Sequence, residues 1–292
     1  MKNHNLFSRT SLCILALAFL AFSAEAQNVR CSYQYFYKKD PAKGFYKVPD
    51  MRLDHCDGRT AWYSETTAIR DSLSFIAFDE TGSIADNETY GQLTRLRPKL
   101  FECTTIDYQT QSFIQHYKSA TLHLNGTGQL ILPEWVLSDE EKDVEGYLCH
   151  KATAQYLGRD WTVWYTEEIP LNIGPWLLWG APGLIVEARD ADNLFIFKFT
   201  GIESLTEGCR FDLLRKYYLE PHNKKRGADY TTDELQKVES TYTKLMSDVH
   251  FFDEAHHIQG ARATDANGRE LDRAAFFKYI PTIPTEYWKD KK

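Results

Sequence analysis

The segment 250–257, His-Phe-Phe-Asp-Glu-Ala-His-His, has the composition of a metal site. On a helix, residues three, four and seven positions apart share one face, so His250, either Asp253 or Glu254, and His257 would lie together there. Of the two carboxylates, Asp253 is the candidate ligand. Imidazole and carboxylate groups bind zinc and copper, although this spacing matches no specific metal motif. These residues are the metal candidates, and a metal-dependent or other hydrolase is the alternative function that they suggest. We favour a histidine-rich helix end exposed to solvent, and therefore predict no bound metal and no cofactor.

Cysteine and carboxylate groups elsewhere offer two further kinds of chemistry. Cys149 and His150 have the residue types of a thiol nucleophile and its base. They lie in a segment with a strand pattern, where neighbouring side chains point to opposite faces, so they cannot form a pair. Cys149 is predicted to be a half-cystine or a buried thiol. Glu167 and Glu168 would need an apolar pocket for acid–base catalysis, and the sequence favours a solvated loop for them.

Several catalytic and cofactor signatures are absent from the sequence. It contains no HExxH, GxSxG, GxGxxG or CxxC motif and no phosphate-binding Walker loop. With 41 acidic against 34 basic residues, its formal charge of −7 disfavours nucleic acid and anionic membranes as partners. The sequence therefore leaves catalysis uncertain and favours a non-enzymatic role.

The N-terminus has the pattern of a secretory signal peptide. Lys2 and Arg9 are basic, residues 12–22 are apolar, and Ala24-Glu25-Ala26 provides a small-x-small cleavage site. An apolar run of this length is too short to span a bilayer as a helix. We therefore expect an exported protein of the periplasm, the cell envelope or the extracellular space, without a transmembrane segment in the mature chain.

The cysteines left after the predicted cleavage are the disulfide candidates. They are Cys31, Cys56, Cys103, Cys149 and Cys209. An exported protein meets an oxidising environment, in which disulfides form and persist. Because the number of cysteines is odd, we expect at most two disulfides and one unpaired thiol, and the spacing does not select the pairing.

Alternating, aromatic-rich segments predict a mainly β fold, in which antiparallel hairpins form a curved sheet or half-barrel with a few helices. In the strand predicted at 29–37, every second residue from Val29 to Tyr37 falls on one face. Two hairpins are predicted next, from strands 146–156 and 161–166 and from strands 184–189 and 194–200. Shorter strands are expected at 101–106, 113–117, 120–124 (ending at Asn125-Gly126-Thr127-Gly128) and 213–219, and loops at 40–60 and 80–98.

Two segments have helical periodicity. The first extends from a Ser64 cap to Phe78, and its predicted buried face consists of Ile69, Leu73 and Ile76. The second begins at a capping box over residues 231–234 and ends near Asp248. Its apolar face consists of Leu235, Val238, Tyr242 and Leu245.

A segment rich in glycine and proline, residues 167–183, connects the two hairpins. It contains Gly174-Pro175 and Gly180-Ala181-Pro182-Gly183. Proline fixes φ and glycine permits positive φ, so this segment is predicted to be a rigid arch. We expect the arch to place Trp176 and Trp179 either against the core or at the mouth of a cavity.

The block 146–200 resembles the GLPGLI family, which comprises uncharacterised exported proteins of Gram-negative bacteria. The resemblance is carried by Trp164, Tyr165, Gly174, Pro175, Trp176, Trp179, Gly180, Pro182 and Gly183, with Ala181 where the family's name has Leu. The resemblance implies a secreted or periplasmic protein and agrees with the signal peptide. No catalytic residues are established for the family, so none are transferred and the catalytic residues stay unknown.

The expected organisation is a signal peptide (1–26), an antiparallel β domain (27–220) and a C-terminal part (221–292) of linker, helix and tail. The excess of aromatic residues and the missing catalytic motifs favour a non-enzymatic envelope protein. We expect it to bind a hydrophobic ligand or an outer-membrane protein partner through the curved sheet and the arch. The comparison with half-barrel carriers of lipoproteins rests on fold analogy.

Overall fold

The structure is a computed structural model that describes residues 28–38, 41–78, 83–119, 122–206, 209, 229–260, 262–264 and 268–276. The predicted signal peptide, the predicted strand 213–219, the linker 221–227 and the end of the C-terminal tail lie outside these residues. None of the described helices is long and apolar enough to cross a membrane.

Most of the described chain forms strands of one sheet. The strands are β1 (Val29–Tyr37), β2 (Tyr46–Cys56), β3 (Arg59–Ser64), β4 (Cys103–Asp107), β5 (Ser112–Ser119), β6 (Leu122–Gln129), β7 (Val136–Val144), β8 (Tyr147–Tyr156), β9 (Arg159–Thr166), β10 (Leu184–Asp190), β11 (Phe195–Ser204) and β12 (Asp229–Glu234). Their order in the sheet is β12-β6-β5-β4-β3-β2-β1-β11-β10-β9-β8-β7. Only the pairing of β12 with β6 is parallel among the described strands. The β-rich, mainly antiparallel fold class is therefore confirmed.

Four helices accompany the sheet in the described residues. They are α1 (Glu65–Ala77), α2 (Asn87–Leu93), α3 (Leu235–Ser247) and α4 (Val249–Ala255), followed by a small ribbon of β13 (Ala263–Thr264) and β14 (Glu270–Leu271) and a 3₁₀ turn at Arg273–Phe276. The helix predicted near the C-terminus corresponds to α3. The predicted loop 80–98 is wrong in part, because Asp86 accepts hydrogen bonds from the backbone of Glu88 and Thr89 and thereby starts α2.

The main core lies on one face of the sheet. The predicted face of β1 is buried throughout, and it packs with the inward face of β9, β10 and β11, with the arch and with α3. The predicted apolar face of α3 is confirmed, because Leu235, Val238, Tyr242 and Leu245 are all buried. The capping box is wrong, since residues 231–234 belong to β12 and Glu234 makes no capping hydrogen bond.

The opposite face of the sheet carries α1. Ser64 accepts a hydrogen bond from the backbone of Thr67, as its predicted role as a cap requires. The predicted buried face is wrong: Ile69 and Ile76 are 38% and 57% exposed. The helix instead turns Ala68 and Asp71 inward, because the small Ala68 packs on Ala61, Tyr63 and Cys103 and Asp71 meets a lysine on β5.

The predicted loop at 40–60 is also wrong, since β2 and β3 form a hairpin there. Asp57 and Gly58 turn it with φ of 50° and 72°. Two successive positive φ angles produce a turn whose twist matches the strands, and Asp-Gly is a strong signal for it. Pro49 is accommodated because it lies where the register between β1 and β2 shifts.

Strand β6 continues through the glycines that were predicted to end it. A Cβ at Gly126 would lie 2.6 Å from the Leu235 side chain, and one at Gly128 would lie 2.5 Å from the Phe113 ring. Gly126 therefore permits close packing of α3 on the sheet, and Gly128 permits close packing of the Phe113 ring of β5, rather than a turn. Strand β7 was not predicted at all, because its nine residues include five charged ones and no hydrophobic alternation.

Candidate functional site

The arch joins β9 to β10, which are neighbours in the sheet. Trp176 in the arch is 2% exposed, has a φ of 55°, and lies with its ring centroid 6.2 Å from that of Trp161. Trp179 is half-buried and donates from its indole to the carbonyl oxygen of Ile131, while Trp135 donates to the carbonyl oxygen of Trp179. Trp176 therefore packs the arch into the core, and Trp179 joins the arch by hydrogen bonds to the segment before β7.

The glycines of the arch are required by close backbone packing. A Cβ at Gly183 would overlap the carbonyl oxygen of Thr166 and lie 2.6 Å from its carbonyl carbon, and one at Gly174 would lie 2.8 Å from the carbonyl oxygen of Leu178. Gly180 has a φ of 80°. Pro175 is buried between these glycines and Pro182 is exposed, while the two strand residues of the block, Trp164 and Tyr165, point to opposite faces of β9. These contacts and buried positions fix the backbone path of the arch.

One pair of the disulfide candidates is bonded, Cys56 with Cys209. Cys31, Cys103 and Cys149 are free and buried, so the five described cysteines form one disulfide where at most two were expected. Burial raises the pKa of the Cys149 thiol to about 11, which keeps it protonated near neutral pH. His150 lies on the other side of β8, with its Nδ1 3.6 Å from a carboxylate oxygen of Glu141.

The other residues that the sequence offers for chemistry do not come together. Glu167 and Glu168 are exposed at the start of the arch. His250 and His257 are also exposed, and both carboxylate oxygens of Asp253 accept hydrogen bonds of 2.6 Å from Arg273. No group of three His, Cys, Asp or Glu side chains able to hold a metal is found within the described ranges.

A cleft of about 480 Å³ lies instead between the helices and the end of β5. Helix α1, the end of β5, helices α3 and α4 and the segment before β4 each contribute to its wall. The lining residues are Arg70, Ser74, Phe101, Lys118, Ser119, Tyr242, Met246 and Phe252. A space of this size, mainly apolar with a few polar groups, is typical of sites for small molecules.

The two cations of the cleft are in different states. The Lys118 ammonium lies 2.8 Å from the carboxylate of Asp71, which is almost fully buried, so the lysine charge is compensated. The Arg70 guanidinium lies over the Phe101 ring, 5.8 Å from its centroid. Within the described part of the chain, Arg70 makes no ion pair with an acidic side chain. Arg70 therefore provides the uncompensated positive charge of the lining.

A serine of the cleft lining, Ser119, lies close to a histidine, His256. The Oγ of Ser119 lies 3.3 Å from the Nε2 of His256 and 3.9 Å from the Sδ of Met246. Burial lowers the pKa of His256, which favours the neutral imidazole at pH 7. A serine nucleophile needs a third group that orients its histidine, and the buried Nδ1 of His256 has no hydrogen-bond partner among the described residues. Within the part of the chain that the structure describes, the pair therefore has no third member of a catalytic triad.

The aromatic wall of the cleft consists of Phe101, Tyr242 and Phe252. A buried carboxyl group, that of Glu239, lies close to this wall. Tyr117 donates a 2.6 Å hydrogen bond to the Oε1 of Glu239, and the rings of Tyr117 and Tyr242 lie 4.7 Å apart. Burial raises the pKa of Glu239 to about 9, so this group is a neutral acid at pH 7. On the neighbouring side, Tyr242 donates to the carboxylate of Glu102 at 3.4 Å.

A row across β4, β5 and β6 consists of Cys103, His116 and Asn125, and Cys103 packs against Ala68 of α1. Cys103 is the register partner of His116, which is the register partner of Asn125. The Nδ1 of His116 lies 2.6 Å from the Oδ1 of Asn125. These residue types occur in thiol proteases, but burial raises the pKa of Cys103 and lowers that of His116, so both groups are neutral. All three side chains are buried, and the row is a buried polar network.

The sequence matches no family model and no curated protein. The chain is similar to solved structures of PNGF-II in the P21 and C2 space groups, with TM-scores of 0.47 and 0.48 and 14% sequence identity in both. Each alignment covers 74% of this chain, but the chain spans only about a third of the length of PNGF-II, 33% and 32% respectively.

Sequence reasoning did not find the cleft residues, although it identified the elements that carry several of them. Tyr242 was predicted only as part of a buried helix face. Arg70 and Ser74 became lining residues because α1 turned a different face to the sheet from the one predicted. Nothing in the local pattern of Lys118 or Ser119 indicates that β5 ends at a cleft.

Proposed function

We propose that this protein is a non-enzymatic exported binding protein, of the GLPGLI family, that holds a small hydrophobic ligand in the cleft between α1, α3, α4 and the end of β5. The observation that carries the proposal is the cleft itself, which offers about 480 Å³ of space. Burial of apolar ligand surface against its walls would supply the binding free energy.

The chemistry of the walls supports a hydrophobic ligand. Phe101, Tyr242, Met246 and Phe252 provide aromatic and thioether surface, and methionine adapts readily to ligands of different shape. This location replaces the curved sheet and arch as the proposed binding region, because Trp176 is packed inside the core. The polar groups of the lining would orient the ligand.

Export and family membership are parts of the proposal. The predicted signal peptide supports export to the periplasm or beyond, and the Cys56–Cys209 disulfide is compatible with an oxidising compartment. The matching residues of the block 146–200 support the family. An outer-membrane protein partner is the other occupant that the sequence suggests. The alternative of a hydrolase built on the segment 250–257 gains no support from the described residues, which contain no group of three His, Cys, Asp or Glu side chains able to hold a metal.

The test measures binding of an uncharged fluorescent naphthylamine, N-phenylnaphthylamine, to the mature protein. We expect saturable binding, and we expect Met246→Trp, which places an indole in the cleft, to weaken it at least about tenfold. The matched control is Val136→Trp, which adds the same indole to the exposed edge strand β7, where Val136 is 68% exposed.

Native mass spectrometry of protein purified gently from its own envelope complements this assay. Extra mass that is lost on denaturation would identify the natural ligand. Absence of probe binding together with the mass of the bare chain would contradict a binding function for the cleft.

A further inference from the structure

We infer that the ligand of the cleft is an anionic amphiphile, with a carboxylate or phosphate group that pairs with Arg70 and an apolar chain that lies along the aromatic wall. This inference rests on the proposed function and specifies its ligand class. It follows from which charges around the cleft are already compensated and which one is not.

The ionisable groups around the cleft other than Arg70 either have partners or are neutral. Lys118 is paired with Asp71 at 2.8 Å. Glu102 is buried outside the lining, where it accepts hydrogen bonds from the Phe101 backbone and the Tyr242 hydroxyl. Glu239 is protonated and bonded to Tyr117, and His256 is neutral. None of these groups presents a free charge to a ligand.

The environment of Arg70 differs from that of these groups. Its guanidinium lines the cleft, is half-buried and contacts the Phe101 ring rather than a carboxylate. A guanidinium has a planar set of donors that matches the two oxygens of a carboxylate or phosphate. Because apolar walls reduce screening by water, an ion pair at this position is stronger than one on an exposed surface. The charge of the lining is therefore complementary to an anion.

The apolar part of the lining would contact the rest of the ligand. The side chains of Met246, Phe252 and Tyr242 continue the lining from α3 and α4 and offer no free cation. A ligand that satisfied only Arg70 would leave this apolar surface in contact with water. One molecule with an anionic end and an apolar chain satisfies both parts of the lining at once.

The test compares dodecanoate, its uncharged analogue dodecanol and inorganic phosphate by calorimetric titration of the mature protein. We expect dodecanoate to bind at least about tenfold more tightly than dodecanol, since a hydrogen bond to a charged group contributes about 1.5–3 kcal/mol and each 1.4 kcal/mol is tenfold. Arg70→Gln should weaken dodecanoate binding by a similar factor and change dodecanol binding less than about twofold. Arg70→Lys, which keeps the charge without the planar donors, should fall between.

The matched control is Arg189→Gln, which removes one positive charge at an exposed position on β10, six strands from β5 in the sheet order. It should leave all three affinities unchanged. Equal binding of dodecanoate to the parent protein and to Arg70→Gln would overturn the inference and leave the proposed function intact. Binding of neither dodecanoate nor dodecanol would overturn both. Binding of phosphate as tight as that of dodecanoate would show that the site takes a free anion and not an amphiphile.

Discussion

The arch and the cleft use aromatic side chains in opposite ways. In and around the arch, aromatic rings close on one another: Phe197 stacks on Tyr35 with ring centroids 4.7 Å apart and lies 6.1 Å from Trp161, and Trp161 contacts Trp176. In the cleft, Phe101 and Phe252 face an open space of about 480 Å³. Aromatic rings that fill each other's surroundings stabilise the fold, whereas rings that face a space can bind a ligand.

A strong local sequence signal and a binding site therefore need not coincide. The arch has the densest glycine and proline pattern of the chain, and its residues hold a backbone path in place. The cleft is assembled from five separate segments with ordinary local patterns. Rigid packing of the first region leaves it little capacity to bind, and the irregular meeting of helices in the second leaves room.

The largest expected difference between the regions comes from one substitution made in each. Phe197→Ala should destabilise the protein by about 3–5 kcal/mol, because it opens a cavity in the closed aromatic core. Phe252→Ala should cost only about 1 kcal/mol, since its ring already borders open space and is partly exposed. Denaturant unfolding monitored by far-UV circular dichroism measures both. Equal losses of stability would show that the cleft is packed as tightly as the aromatic core.

A second substitution tests whether the arch depends on backbone contact. Gly183→Ala should destabilise the protein by about 3 kcal/mol, because the new Cβ would overlap the Thr166 carbonyl group, which cannot move without disturbing β9. Gly91→Ala is the matched control, since Gly91 lies in α2 with nothing within 4 Å of the added Cβ. The control should stabilise the protein by roughly 0.5–1 kcal/mol. Similar stability of the two variants would show that the arch is less rigid than described.

A third substitution tests the protonation state of Glu239, which lies close to the cleft. Glu239→Gln should stabilise the protein at pH 7 by roughly 2 kcal/mol. The pKa of Glu239 is raised from 4.5 to about 9, so between these values the folded state keeps a proton that the unfolded chain releases. The contribution of this group to the free energy of unfolding is therefore fully present below pH 4.5 and is lost as the pH rises toward 9.

Urea unfolding across the range from about pH 5 to 9 measures this effect, with a slope of up to about 1.4 kcal/mol per pH unit attributable to one group. Glu239→Gln should lack that part of the slope. The exposed Glu254 on α4 provides the control, and Glu254→Gln should keep the slope of the parent protein. A parent protein with the same pH dependence as Glu239→Gln would contradict a protonated Glu239.

Several strands of the sheet and the buried face of one helix could be predicted from the sequence. Strand β1 and its buried face, the hairpins β8–β9 and β10–β11, and the apolar face of α3 were all predicted. These features depend on alternation, helical spacing and turn residues, which are local properties of the chain. Strand β7 and the β2–β3 hairpin were missed, because charged side chains on an edge strand and a proline at a register shift hide the strand pattern.

The candidate site could not be predicted in the same way. The sequence indicated that α1 exists and begins at Ser64, but its hydrophobic spacing assigned the wrong face to the core. The ion pair between Asp71 and Lys118 joins residues 47 positions apart, and the contact between Ser119 and His256 joins residues 137 positions apart. No local pattern records such distances.

The sequence alone determined that the chain folds into hairpins, where most of the central strands lie, and that a glycine- and proline-rich segment must connect β9 to β10. Long-range packing determines which cysteines meet, which face of α1 is buried and where a cavity is left. The physical reason is that backbone preferences and periodicity act over a few residues. The packing that leaves Arg70 beside an apolar space depends on the register of β5 and on the positions of three helices at once.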